Sequence, residues 1–197
     1  AFRFNAAGKI KFVVWSGNAN KEGETSNNAI STNTWTHVAF THDNSNNFTK
    51  FYINGSLDET GYTIDQDFQN TTSNAYVGWD GQQGNTFSGR IDEVRIWDDV
   101  RTVAEIQNNM YTELVGNESN LVAYYKFNEA TGTTVNDISS NSNYGTMTNM
   151  NASSDWTSAS PLGTIISGNS GYRMLSSPVS GQIISNLLNN LWTQGMT

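Results

Sequence analysis

The 197-residue chain has no cysteine. Disulfides, thiolate zinc sites and thiol nucleophiles are therefore excluded together. Basic residues are scarce, 10 Lys and Arg against 18 Asp and Glu, for a net charge of −8. Nothing supplies a basic stripe for phosphates, which argues against nucleic acid as a partner. Charged residues of both signs make up only 14% of the chain. No window approaches the roughly 18 apolar residues of a membrane span, so no membrane insertion is expected. No signal peptide opens the chain; Ala1-Phe2-Arg3-Phe4 reads as the middle of a strand, as in a fragment of something longer. Only two histidines occur, His37 and His42. Their odd separation puts them on opposite faces of a regular strand, poor geometry for one zinc, and no nucleophile elbow accompanies them. Both read as structural or solvent-facing.

Aromatics, at 12%, are plentiful, and asparagine, threonine, serine and glycine fill the gaps between apolar runs. This composition is β-rich and turn-rich, and it is not that of a disordered chain. The densest strand signal is Phe87 to Trp97, F-S-G-R-I-D-E-V-R-I-W. Read with period two, Asp92, Val94 and Ile96 share one face, and Ile91, Glu93, Arg95 and Trp97 the other. Asp92 is thus expected to face a core, where a carboxylate needs donors or a cation. Glu93 and Arg95, two apart, can pair with each other.

Other strands are expected over residues 2 to 15 around Ala7-Gly8-Lys9, and over 35 to 42, 48 to 53, 75 to 79 and 121 to 127. Residues 16 to 34 read as a loop, and 56 to 74 carry only a short strand near Tyr62 to Ile64. Asn54-Gly55 is a strong hairpin signal, because a type I′ turn needs positive φ at both central residues. A helix is expected from about Val103 to Tyr111. Thr102 and Glu105 form its capping box, and Val103, Ile106 and Met110 its apolar stripe. Many short strands and one short helix give an all-β, antiparallel sandwich.

The Phe87–Trp97 stretch, Trp35-Thr36-His37-Val38-Ala39, Tyr52-Ile53-Asn54-Gly55 and the helix that follows resemble laminin G-like, pentraxin-like modules. These belong to the concanavalin A-like lectin/glucanase superfold, and the likeness runs over roughly residues 1 to 130. It implies a jelly-roll module over residues 1–160 that lacks its opening strands. Residues 161–197 then form a linker and the start of a following β-rich module. The tail from Gly171 to Pro178 resembles such a module in large secreted bacterial proteins.

Glucanases of this superfold use alternating acids on one strand, two of which do nucleophilic and acid/base work. Here Asp92 and Glu93 are adjacent, on opposite faces, and cannot both address one sugar. The chain is therefore expected not to be an enzyme. The polar loop after Trp79, with Asp80, Gln82 and Asn85, offers a stacking ring beside hydroxyl-reading groups; the alternative is that Trp79 is simply core.

In Asp137 to Gly145, D-I-S-S-N-S-N-Y-G, oxygen-bearing side chains recur at Asp137, Ser139, Asn141 and Asn143. The segment resembles a loop that holds structural calcium in bacterial laminin G-like modules, with Asp92 a contributor from across the fold. The alternative is an ordinary Asn/Ser turn. The function these features imply is extracellular recognition or adhesion at a bacterial cell surface. The partners would be a glycan or cell-surface protein and neighbouring modules of the same chain. The competing reading is a structural spacer or assembly module with no small ligand.

Overall fold

Strand pairing follows the apolar alternation from the start of the chain. The computed structural model describes residues 2–16, 19–63, 74–79, 86–157, 165–166, 174–175 and 191–194. Strand β1 (Phe2–Phe4) pairs antiparallel with β2 (Lys9–Ser16) around a turn in which Gly8 takes φ +75°. Strand β3 (Ala19–Ala29) continues this sheet on the far side of β2. It lies in the segment expected to be a loop. As an edge strand of Asn, Glu, Lys and Thr it carries no apolar alternation, and such polar edges suit strands that must not recruit another chain.

Three strands then run as a meander: β4 (Trp35–Asp43), β5 (Phe48–Ile53) and β6 (Ser56–Thr63). The β5–β6 turn is Asn54-Gly55 with φ +49° and +72°, the positive pair that the dipeptide predicts. Strand β6 is longer than the short strand expected there. Asn54 also holds β4: its N–H donates to the His37 carbonyl at 2.8 Å, and its Oδ1 accepts the His37 N–H at 3.0 Å.

The Phe87–Trp97 stretch is two strands, β7 (Ile91–Asp92) and β8 (Val94–Trp97), broken at Glu93. Glu93 has φ +55°, so one extra residue enters the strand and resets the alternation. The expected faces are corrected accordingly. Ile91, not Asp92, shares the main core with Val94, and Ile96 packs against that core. Asp92 is still fully buried.

Helix α1 (Val103–Asn109) begins at the expected capping box. Glu105 N–H donates to Thr102 Oγ1 at 3.3 Å, and Thr102 N–H to Glu105 Oε2 at 2.8 Å. That donation from Thr102 holds the Glu105 carboxyl below its usual range. The apolar stripe is narrower than expected, because Val103 is 41% exposed. Ile106 alone is buried along the helix, packing with Ala39 and Tyr52.

After α1 come β9 (Leu121–Tyr125), β10 (Thr134–Val135), β11 (Gly145–Thr148) and β12 (Trp156–Thr157). From residues 161–197, expected as a linker and the start of a following module, the described strands are β13 (Ile165–Ile166), β14 (Met174–Leu175) and β15 (Leu191–Gln194). All three pair with strands of the sandwich: β13 with β12 and β7, β14 with β11, β15 with β4 and β7. The largest sheet runs β12-β13-β7-β15-β4-β5-β6; smaller ones are β1-β2-β3, β10-β11-β14 and β8-β9. Every neighbouring pair of strands in the largest sheet is antiparallel.

The main core joins Ile10, Val38, Phe40, Phe51, Ile91 and Val94 to Ala123, Tyr125, Phe127, Val135, Met147 and Trp156. Burying each phenylalanine contributes roughly 1.5–3 kcal/mol of transfer free energy. A second cluster sets Trp97 against Leu114, Leu121 and Tyr124. This is an all-β fold of antiparallel sheets with a single short helix among the described residues.

Candidate functional site

Three constellations carry chemistry. The first is the base of the loop after Trp79. Phe87 N–H donates to the Gly78 carbonyl at 2.8 Å, and Trp79 bridges Thr86 as an antiparallel pair. Tyr76 meets the indole edge-on, with ring centroids 4.9 Å apart and planes at 67°. Trp79 is half-buried, neither sealed into the core nor fully exposed. Asp80, Gln82 and Asn85, the polar residues expected beside it, lie outside the described residues.

The second constellation surrounds the bulge. Glu93 Oε2 lies 2.6 Å from Arg95 Nη2, and both side chains are essentially inaccessible, at 1% and 0%. The pairing expected from their spacing is therefore present. Tyr124 on β9 donates its hydroxyl to the same Glu93 oxygen at 2.6 Å and accepts the Leu114 N–H at 3.2 Å. Arg95 reaches past Glu93 to the Asn109 carbonyl at 2.7 Å and to the Thr112 carbonyl, beyond the end of α1. Helix α1 has no basic residue in its last turn, and Arg95 satisfies carbonyls that this end leaves open. Burial pushes the Glu93 carboxyl above its ordinary range, with Tyr124 and Arg95 pulling only partly against it. Burial, with the charge of Glu93, also raises the Tyr124 hydroxyl, so tyrosine serves as a neutral donor.

The adjacent acids thus have separate structural duties. Asp92 accepts the Glu93 N–H at 3.1 Å and lies in register with Trp192 of β15. Glu93 anchors the helix and β9 through Arg95 and Tyr124. Sequence reasoning found Glu93 and Arg95 but missed Tyr124 and the helix-end carbonyls. The apolar run Leu121 to Phe127 gave no sign that one of its tyrosines carries a buried proton donor. His42 also has a structural partner, with Nδ1 2.8 Å from Thr49 Oγ1.

The third constellation is the Asp137 loop, where Asp137, Ser139, Asn141 and Asn143 do come together against β9. Asp137 Oδ1 accepts the N–H groups of Tyr124 and Ser139, each at 2.9 Å. Its Oδ2 accepts the Ser139 hydroxyl and the Asn143 N–H, each at 2.8 Å. The amides of Asn141 and Asn143 donate to the Val122 carbonyl at 3.0 Å, and Asn141 also to that of Leu121 at 2.9 Å. The Tyr125 hydroxyl donates to the Asn143 carbonyl. A carboxylate has about four lone-pair positions, and here four donors fill them. Calcium needs six to eight oxygens turned toward it, whereas both Asp137 oxygens here already face donors. Asp92, the expected contributor from across the fold, stands on β7 in the largest sheet, whereas the loop lies against β9. Among the described residues, no three His, Asp or Glu side chains converge as a metal-binding group.

Neither a curated protein nor a solved structure matches the chain. A laminin G-type family model, described as the concanavalin A-like lectin/glucanases superfamily, matches residues 1–107, just over half of the 197 residues. That segment holds the β4–β6 meander, the bulged β7–β8 pair and the capped start of α1. By this match and the antiparallel fold that bears it, the chain belongs to the laminin G-like branch of the concanavalin A-like lectin/glucanase superfamily.

Proposed function

We propose that this chain is a non-catalytic carbohydrate-recognition module acting outside the cell, with the loop led by Trp79 as its sugar-facing element. One observation carries the reading: a half-buried indole, held edge-on by Tyr76, at the closed base of a polar loop. An aromatic ring of fixed orientation next to amides and carboxylates is a common way to bind a sugar face and read its hydroxyls. Membership of a superfamily of lectins and glucanases supports the same class of ligand, although fold alone does not select among lectin, hydrolase and inert module. The non-catalytic part rests on the adjacent acids: Asp92 is fully buried and Glu93 is neutralised by Arg95.

The test is a polysaccharide and glycan panel read by intrinsic tryptophan fluorescence, with Trp79→Ala beside the unsubstituted chain. Saturable binding lost in Trp79→Ala at unchanged melting temperature supports the proposal. Absence of binding from a folded chain moves the assignment to a structural spacer of a surface protein. Binding that survives Trp79→Ala moves the site elsewhere on the module.

We also propose that the Asp137 loop is held by its own donors and works without calcium. The support is the four hydrogen bonds already occupying the carboxylate.

A further inference from the structure

The bulge residue Glu93 and the β8 residues Arg95 and Trp97 all turn toward Tyr124 on β9. Glu93 Oε2 accepts the Tyr124 hydroxyl at 2.6 Å, and the Arg95 guanidinium carbon lies 5.1 Å from the centre of the tyrosine ring. Trp97 packs in the same apolar cluster as that ring. All three residues are at most 1% exposed.

Their hydrogen bonds use only part of what they offer. Arg95 commits Nη1 to the Asn109 carbonyl and Nη2 to Glu93 Oε2 and the Thr112 carbonyl, which leaves Nε–H. Glu93 Oε2 takes both the guanidinium and the tyrosine hydroxyl, which leaves Oε1. The Trp97 indole has a single donor, Nε1–H. Among the described residues, none of these three atoms meets a hydrogen-bond partner. Each is shielded from bulk solvent, where a polar group left alone forfeits its hydration with nothing in return.

The three atoms are complementary: two N–H donors and one carboxylate oxygen. A water molecule accepts twice and donates twice. It can take both N–H groups and return a proton to Oε1, the three hydrogen bonds typical of an internal water. Ions do not suit the same place. A cation would meet two N–H donors and the Arg95 guanidinium, and an anion would be set against the Glu93 carboxylate. An apolar occupant would satisfy none of the three.

We infer that the interior beside Tyr124 is a binding site for a structural water, which accepts from Arg95 Nε and Trp97 Nε1 and donates to Glu93 Oε1. It completes the junction of β8, β9 and the end of α1, which the protein groups close only in part. The inference does not depend on the glycan reading, because these side chains are fully buried.

A crystal structure of the unsubstituted chain, grown with bromide in place of chloride, tests the site. The expected result is a solvent peak without anomalous signal, about 2.7–3.2 Å from Glu93 Oε1 and from one or both N–H donors. An anomalous peak there would make the occupant an anion and overturn the inference. Protein groups closing on all three atoms, with no solvent peak, would overturn it as well. Solution NMR supplies a second reading. The Trp97 indole proton, identified by its disappearance in Trp97→Phe, is expected to cross-relax with the water resonance, with NOE and ROE of opposite sign as a long-lived internal water requires. The effect should persist in Tyr124→Phe, which has no hydroxyl proton to relay it. An indole proton with no such contact, or one whose contact vanishes with the tyrosine hydroxyl, counts against the site.

Discussion

The Tyr124 hydroxyl sits 2.6 Å from Glu93 Oε2 and ties β9 to the bulge that separates β7 from β8. The Tyr124 hydroxyl oxygen also accepts the Leu114 N–H, so one buried atom joins three segments. Tyr124→Phe keeps the ring and removes this junction, leaving the Leu114 N–H without its acceptor. The expected loss is about 1–3 kcal/mol of unfolding free energy. Urea titration measures it, and a change under about 0.5 kcal/mol, the size of an ordinary surface substitution, would mean the junction is idle.

Glu93 makes stability depend on pH. Its carboxyl is raised above the ordinary glutamate range by burial, so the folded chain holds this proton more tightly than the unfolded chain. Between the unfolded and folded pKa values the folded state binds more protons, and stability falls as pH rises through that window. The contribution is complete below the ordinary glutamate range and is lost above the raised value. Glu93→Gln keeps an acceptor oxygen and abolishes the titration. Urea midpoints collected across mildly acidic to neutral pH are expected to show a shallower decline in the variant; parallel slopes would remove Glu93 as the source.

Arg95 is harder to replace. Arg95→Met leaves the Glu93 carboxylate buried without its cation and frees the carbonyls of Asn109 and Thr112. Breaking a buried pair from one side costs about 3–5 kcal/mol. Removing Glu93 as well, in Glu93→Leu/Arg95→Met, is expected to cost about 1–3 kcal/mol less than the two single losses added together. Hydrogen exchange offers a second view, because amides near the end of α1 should lose protection in Arg95→Met before the rest of the sandwich does.

The Asp137 loop gives the sharpest contrast between the two readings of its sequence. Asp137→Ala strands three backbone N–H groups, while the Ser139 hydroxyl keeps the Val122 carbonyl as acceptor, with an expected loss of at least about 3 kcal/mol. Thermal melts of the unsubstituted chain in calcium and in chelator should superimpose. A melting temperature raised several degrees by calcium, with the increment absent in Asp137→Asn, would reinstate the cation.

The elements legible in the sequence are those whose signals are local. Asn54-Gly55 specifies its turn through φ, and Thr102 with Glu105 specifies a helix start through hydrogen bonds three residues apart. The bulge was not legible. A positive φ at Glu93 carries no local mark, since the residue is neither glycine nor asparagine, and an uninterrupted alternation was the simplest reading. Strand β3 was hidden for the opposite reason: at the edge of a sheet, a run of polar residues looks like a loop. In the Asp137 loop the gathering of oxygen-bearing side chains was readable from their spacing. What they face was not, because the donors that fill the carboxylate come largely from the backbone of the loop and of β9.

The main core crosses the end of the matched segment. The family model matches residues 1–107, yet Ala123, Tyr125, Phe127, Val135, Met147 and Trp156 complete the apolar interior that those residues begin. The unit that inheritance makes recognisable is therefore shorter than the unit that closes the core. A chain cut at residue 107 would keep the signature and forfeit its closing half, exposing Val38, Phe40, Phe51 and Val94 to water. Calorimetry of the intact chain should find a single transition, with no separable event at the border that sequence similarity draws.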